Sequence, residues 1–211
     1  MNMFTKLMAV AISASAFAFT ATASAEEAPD MLVKRISEDV LNIAKADKDI
    51  QAGNVNRIVS LVQEKIVPYV DSDRMTSLAA GRYWRQATPE QQQQLTTQFR
   101  TLLIYTYAGA LSQVRDQKIE YKPLRADPSD TDVEVRSQLV QSHGDPVQLS
   151  YRMEKLDAGW KMYDINVMGA WLVEAYKGTF SSEITKNGID GLIKTLTDKN
   201  KQLAARSTAK K

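Results

Sequence analysis

The hydrophobic period of this chain changes part-way along, and that change limits the folds open to it. Up to about residue 115 the apolar residues recur every three or four positions, as on one face of a helix. From Lys118 to Val167 they recur every second position, as on a strand with one buried face. Val133, Val135, Ser137 and Leu139 alternate with Glu134, Arg136 and Gln138. Val147, Leu149, Tyr151 and Met153 alternate with Gln148, Ser150, Arg152 and Glu154. Asp127-Pro128-Ser129-Asp130, Ser142-His143-Gly144-Asp145-Pro146 and Asp157-Ala158-Gly159 punctuate the runs as turns. The pattern predicts an antiparallel meander of four strands, over 118–124, 133–139, 147–153 and 160–167, with one wet face, one apolar face and an end at Gly169.

Helices flank the meander. Leu32, Ile36, Val40, Ile43 and Ala44 define a first one, and Gly53-Asn54 breaks it. Val55, Ile58, Val59, Val62 and Ile66 define a second, stopping near Pro68, and Asp71 or Ser72 starts a short third that ends at Gly81. Thr88-Pro89-Glu90-Gln91 carries a capping box with proline at the first helical position, so a long helix is expected from there to about Arg115. After the meander, Leu172, Tyr176, Phe180 and Ile184 fall at helical spacing. Asn187-Gly188 interrupts the run, and Leu192, Ile193, Leu196 and Leu203 mark a last helix. Helices, a curved sheet and helices again make an α+β domain with helices covering one sheet face, expected over residues 26–205, followed by a basic, solvated tail at 206–211.

The start of the chain has its own signature. Lys6 precedes an uncharged run from Leu7 to Thr22, and Ala23-Ser24-Ala25 stands before Glu26-Glu27. These are the parts of a secretory signal peptide over residues 1–25, cleaved after Ala25, which sends the rest across the inner membrane to the periplasm. The competing reading is an uncleaved N-terminal anchor. The chain has no cysteine, so disulfides, thiolate metal sites and thiol nucleophiles are excluded, and stability rests on an apolar core to which 44% hydrophobic residues contribute. Lys+Arg number 27 against 25 Asp+Glu, a balance that does not suit nucleic-acid binding.

Catalytic motifs are missing: there is no HExxH, no glycine-rich phosphate loop and no GxSxG elbow. The single histidine, His143, falls in an expected turn and is read as solvent-facing. Asp164, beside Tyr163, is the one carboxylate expected in apolar surroundings. It fits either a buried group bonded to backbone or to an arginine, or an acid–base pair with Tyr163 of an isomerase or dehydratase. What remains is apolar surface: Leu149, Tyr151 and Met153 on the sheet, Phe99, Leu102, Leu103 and Tyr107 on the long helix, and Val167, Ala170 and Trp171 after the last strand. A filled core and a ligand-holding hollow both fit that surface, as does an adaptor with an exposed patch.

Two segments carry a resemblance. One is Gly81-Arg82-Tyr83-Trp84-Arg85-Gln86-Ala87-Thr88-Pro89-Glu90-Gln91, continuing through Phe99 to Tyr107-Ala108. The other is Tyr163-Asp164-Ile165-Asn166-Val167-Met168-Gly169 with Tyr176, Phe180 and Gly188-Ile189-Asp190-Gly191-Leu192. Together they resemble the MlaC family, also called the toluene-tolerance (Ttg) family. The resemblance implies a cystatin-like or nuclear-transport-factor-like sheet and a diacyl phospholipid held as cargo, tails in a cavity and headgroup toward solvent, with no cofactor, metal or chemistry. It implies a monomer that shuttles lipid between an outer-membrane lipoprotein–porin complex of the MlaA type and an inner-membrane ABC transporter of the MlaFEDB type, maintaining outer-membrane lipid asymmetry. The expected acyl-chain wall is the surface above together with Val135, Leu139, Tyr163 and Ile165. One departure stands out: the family often has a small pair such as Val-Ser where this chain has Ala170-Trp171.

Overall fold

The computed structural model describes residues 26–142 and 144–208. The expected signal peptide, His143 and residues 209–211 lie outside the described residues. Helices α1 (Pro29–Ala46), α2 (Lys48–Gln51), α3 (Val55–Lys65), α4 (Ser72–Ala80) and α5 (Pro89–Leu111) come first. Strands β1 (Lys118–Tyr121), β2 (Asp132–Val140), β3 (Val147–Leu156), β4 (Gly159–Val167) and β5 (Ala170–Trp171) follow, and α6 (Leu172–Thr208) closes the chain.

The sheet is antiparallel throughout, in the order β1-β2-β3-β4-β5. It has five strands where the alternation predicts four. Gly169 does not end it: Met168 and Gly169, both at positive φ, form a tight turn, and Ala170 and Trp171 pair back onto Val167 and Asn166. A two-residue strand is too short to leave a periodic signal. The long helix stops at Leu111 rather than near Arg115, and β1 stops at Tyr121 rather than Leu124. α6 continues through Thr208, into the segment read as a tail.

The local causes of the helices are those the sequence displays. Asp47, Asn54 and Asp71 accept backbone N–H bonds at the starts of α2, α3 and α4. At the start of α5 the Thr88 side chain accepts from the Gln91 N–H, and the Gln91 side chain accepts from the Thr88 N–H. Gln91 also donates to Asp190 at 2.7 Å and so docks α5 on α6. Inside α6, Gly188 has φ 72° and ψ −179°, which only glycine adopts without strain, and the helix kinks there. Three residues on, a Cβ at Gly191 would stand 2.3 Å from Asn187 Cβ. The two glycines of Gly188-Ile189-Asp190-Gly191 thus have separate duties, one making the kink and one clearing it.

Two apolar clusters result. One joins α1, α2, α3 and the end of α5 to the sheet through Ile36, Val40, Ile58, Leu61, Val135 and Met153. The other is helical, with α4, α5 and α6 meeting through Met75, Leu95, Phe99, Phe180 and Leu192. α5 bridges them, its first turns in the helical cluster and Ala108 and Leu111 against the sheet cluster. Thr88→Ala should lower stability by about 1 kcal/mol, and Gly191→Ala by ~1–3 kcal/mol, both read from chemical denaturation with an unchanged slope.

Candidate functional site

Register assigns each strand residue to one of two faces. Tyr121 pairs with Ser137, Ser137 with Leu149, Leu149 with Val167 and Val167 with Ala170, so one rung of five side chains crosses the sheet on the same face. Ile119, Val133, Val135, Leu139, Tyr151, Met153, Met162 and Ile165 share that face. The opposite face carries Glu134, Arg136, Gln138, Gln148, Ser150 and Arg152, with side-chain bonds from Gln138 to Glu120 and from Gln148 to Gln138. Over β2 and β3 this is the wet face; at β4 it carries Asp164, which the start of α6 covers.

Burial of the apolar face is uneven along the strands. Val133, Val135, Met153, Trp160 and Met162 are buried beneath the helices. Toward the other end Leu139, Val147, Leu149, Tyr151, Ile165 and Val167 are only half-buried, and Ala170 is exposed. Tyr151 is half-buried, and burial raises its pKa. Beside it lie the hydroxyls of Ser137 on β2 and Ser37 on α1, which temper the rise. Tyr121 is pushed up to about 12, first by burial and then by Glu38 and Tyr151.

Two of the expected wall residues stand on the wrong face. β3 and β4 shift register at a bulge, with Met153 opposite Met162 and Arg152 opposite Asp164, so Tyr163 is the extra residue. Its O–H donates to Asp132 Oδ1 at 2.8 Å, the Arg74 guanidinium covers its ring at 3.6 Å, and burial pushes its pKa to about 12. Trp171 pairs with Asn166 on the wet face, and its ring is covered by Arg152 at 4.0 Å. The indole therefore points away from the apolar face, while Ala170 beside it stays on that face. Alternation counted back from Val167 would place Tyr163 on the apolar face, because a bulge leaves no mark in the hydrophobic pattern.

The long-helix residues also separate. Phe99 and Leu102 are buried in the helical cluster, where the Phe99 ring meets Tyr176 and Phe180 edge-on at 5.0 and 4.9 Å. Leu103 packs half-buried against the same cluster, and Tyr107 is 41% exposed. The structure thus brings together Val135, Leu139, Leu149, Tyr151, Met153, Ile165, Val167 and Ala170. It adds Ile119, Tyr121 and Val147, which their own alternation would have supplied. A separate cleft of about 680 Å³ opens among Asp71, Asp73, Trp84, Thr96, Arg100, Leu156 and Lys161, and none of the expected wall residues lines it.

Asp164 is 1% exposed and fully used. Oδ1 accepts from the N–H of Ile165 at 2.9 Å and of Val173 at 3.0 Å, and Oδ2 faces Arg152 Nη1 at 3.4 Å. It holds the first turn of α6 onto β4, which is the structural one of its two readings. No group of three or more His, Cys, Asp or Glu residues poised for a metal occurs among the described residues, and no helix there is long and apolar enough to cross a membrane.

Comparison with known proteins decides the family. A family model described as MlaC protein matches residues 34–198. The chain belongs to the MlaC family. It is 28% identical over 167 residues to the toluene tolerance protein ttg2D of Pseudomonas putida, covering 79% of this chain and 77% of that protein. It is 25% identical over 172 residues to the intermembrane phospholipid transport system binding protein MlaC of Haemophilus influenzae, covering 80% of each. Among solved structures, the phospholipid-binding protein from Ralstonia solanacearum in complex with a phospholipid is 50% identical, with a TM-score of 0.79, over 83% of this chain and 98% of that one. The open antiparallel sheet packed on helices is the fold of the family.

Burial raises the pKa of Asp164 against the bonds it accepts. A raised value means that its contribution to stability is whole below the ordinary aspartate pKa of about 4 and is lost as pH rises through the folded value. The melting temperature of the wild type, measured relative to Asp164→Asn, should therefore fall as pH rises above about 4.

Proposed function

We propose that this chain is a periplasmic carrier of diacyl phospholipid, exported by its N-terminal segment. It passes lipid between an outer-membrane lipoprotein–porin complex of the MlaA type and an inner-membrane ABC transporter complex of the MlaFEDB type, and so maintains outer-membrane lipid asymmetry. The observation that carries this reading is the Ralstonia solanacearum relative, half identical over nearly its whole length and solved with a phospholipid bound. The half-open apolar face supports it from within the chain. Leu139, Leu149, Ile165, Val167 and Ala170 form an apolar bed running in from an exposed edge.

The energetics explain why such a bed is needed. Each buried CH₂ is worth ~0.8 kcal/mol, so one long acyl tail represents on the order of 12 kcal/mol of transfer free energy. Unassisted passage through water is negligible at that cost. A carrier must also release what it takes up, so its cavity has to match the membrane's hold on the tails rather than exceed it. Few polar anchors and loose headgroup recognition meet that demand, and exchange proceeds when a partner parts the helices from the sheet. Acid–base catalysis by Asp164 and Tyr163 is not favoured. Their side chains face different partners, and each is engaged by the protein itself.

Leu149→Glu and Ala170→Glu each place a charge on the bed without touching the buried end of the sheet. Both variants should keep the wild-type far-UV spectrum and lose phospholipid from organic extracts of the purified protein, read by mass spectrometry. Wild-type amounts of lipid in both would overturn the assignment of this face.

A further inference from the structure

Where α4 meets the sheet, one carboxyl oxygen lacks the donor that its burial calls for. The Glu154 side chain on β3 is 15% exposed. Its Oε2 accepts from Arg74 Nη1, while Oε1 is buried and accepts no hydrogen bond. A buried carboxylate oxygen without a donor is costly. The group that faces it is another acceptor, the carboxylate of Asp71, which caps α4. The remaining charges around Glu154 are committed elsewhere. Arg74 of α4 divides its guanidinium between Glu154 and Asp132, the residue opposite Glu154 on β2, and lies over the Tyr163 ring of β4. Lys161, opposite Glu154 on β4, donates to the Pro68 carbonyl. Arg152, two residues back along β3, stands opposite Glu134 and pairs with Asp164. Two facing carboxylates form a hydrogen bond when a proton sits between them. Burial raises the pKa of Glu154, Asp71 adds to the rise, and Arg74 opposes it.

The pair spans the joint between the helices and the sheet. Asp71 belongs to α4, whose Met75 and Ala79 pack in the helical cluster, and its N–H donates to Met162 O of β4 at 2.7 Å. Resting on the carrier reading, we propose that Glu154 and Asp71 bind one proton between them, and that this proton locks α4 to the sheet and slows the exchange of cargo. With the proton in place, Glu154 donates from Oε1 to the Asp71 carboxylate and keeps Arg74 on Oε2. Without it the two carboxylates repel across the joint. Because the folded pKa is raised, the lock is whole below the ordinary glutamate value of about 4.3 and is lost as pH rises through the folded value.

The test loads the protein with a fluorescent phosphatidylglycerol and follows its transfer to phosphatidylcholine vesicles from about pH 4 to about pH 8. A hydrogen bond between charged groups corresponds to about a tenfold change in rate, so wild-type transfer should be slower by about that factor at the acid end. Glu154→Gln and Asp71→Asn each put an amide donor at the joint at every pH, and asparagine still caps the helix. Both variants should transfer at the slow rate throughout, with no pH dependence. Melting reads the lock without cargo: the wild type should lose stability relative to Glu154→Gln as pH rises. Flat wild-type melting and transfer, or variants that follow the wild-type profile, would overturn the lock and leave the carrier reading intact. If one variant does not fold, the other decides. Melting with the expected pH dependence and no transfer at any pH would overturn the carrier reading, and with it the effect on exchange.

Discussion

The central constraint is a mismatch between the sheet and its cover. Alternation commits every second residue of β2, β3 and β4 to one apolar face, and these strands of 9, 10 and 9 residues make it about 30 Å long, with the short β1 and β5 at its sides. A helix is about 10 Å across, so α1 and α3 bury one end of the face and leave the other half-open. An isolated protein with that much apolar surface near water is under pressure to fill it, from within or from without. In this chain the residues that would plug it from within are drawn elsewhere. Phe99, Leu102 and Phe180 pack among α4, α5 and α6.

That division of the core into two clusters gives each half of the protein its own apolar centre. The helical cluster is closed by edge-on aromatic contacts and by the Gln91–Asp190 bond, and it does not depend on what lies over the sheet. The halves are tied at several places: α5 passes from one to the other, Asp164 holds the start of α6 to β4, and Arg74 of α4 pairs with Asp132 and Glu154 of the sheet.

Much of this was legible in the sequence, and the parts that were not share a cause. The pattern located all four expected strands, each end within three residues, and the capping box at Thr88 marked the start of α5. Hydrophobic period says which residues leave water, but not which others they meet. Phe99 and Leu149 look alike as apolar residues at regular spacing, yet they belong to different clusters. Tyr163 and Trp171 failed for a sharper reason. The first is the extra residue of a bulge, which inverts the count, and the second sits on a two-residue strand too short to show a period. The resemblance of the Tyr163–Gly169 and Gly188–Leu192 segments carried the functional reading further than periodicity did, because those glycines and that aspartate fix backbone positions.

The most direct test of the central claim is photocrosslinking with a phospholipid that bears a photoreactive group in its acyl chain, followed by peptide mapping. The account predicts label on the apolar face, at Leu139, Leu149, Ile165 or Val167. Label confined to the wet face at Arg136, Gln148 or Trp171, or to the separate cleft at Trp84 and Leu156, would contradict it.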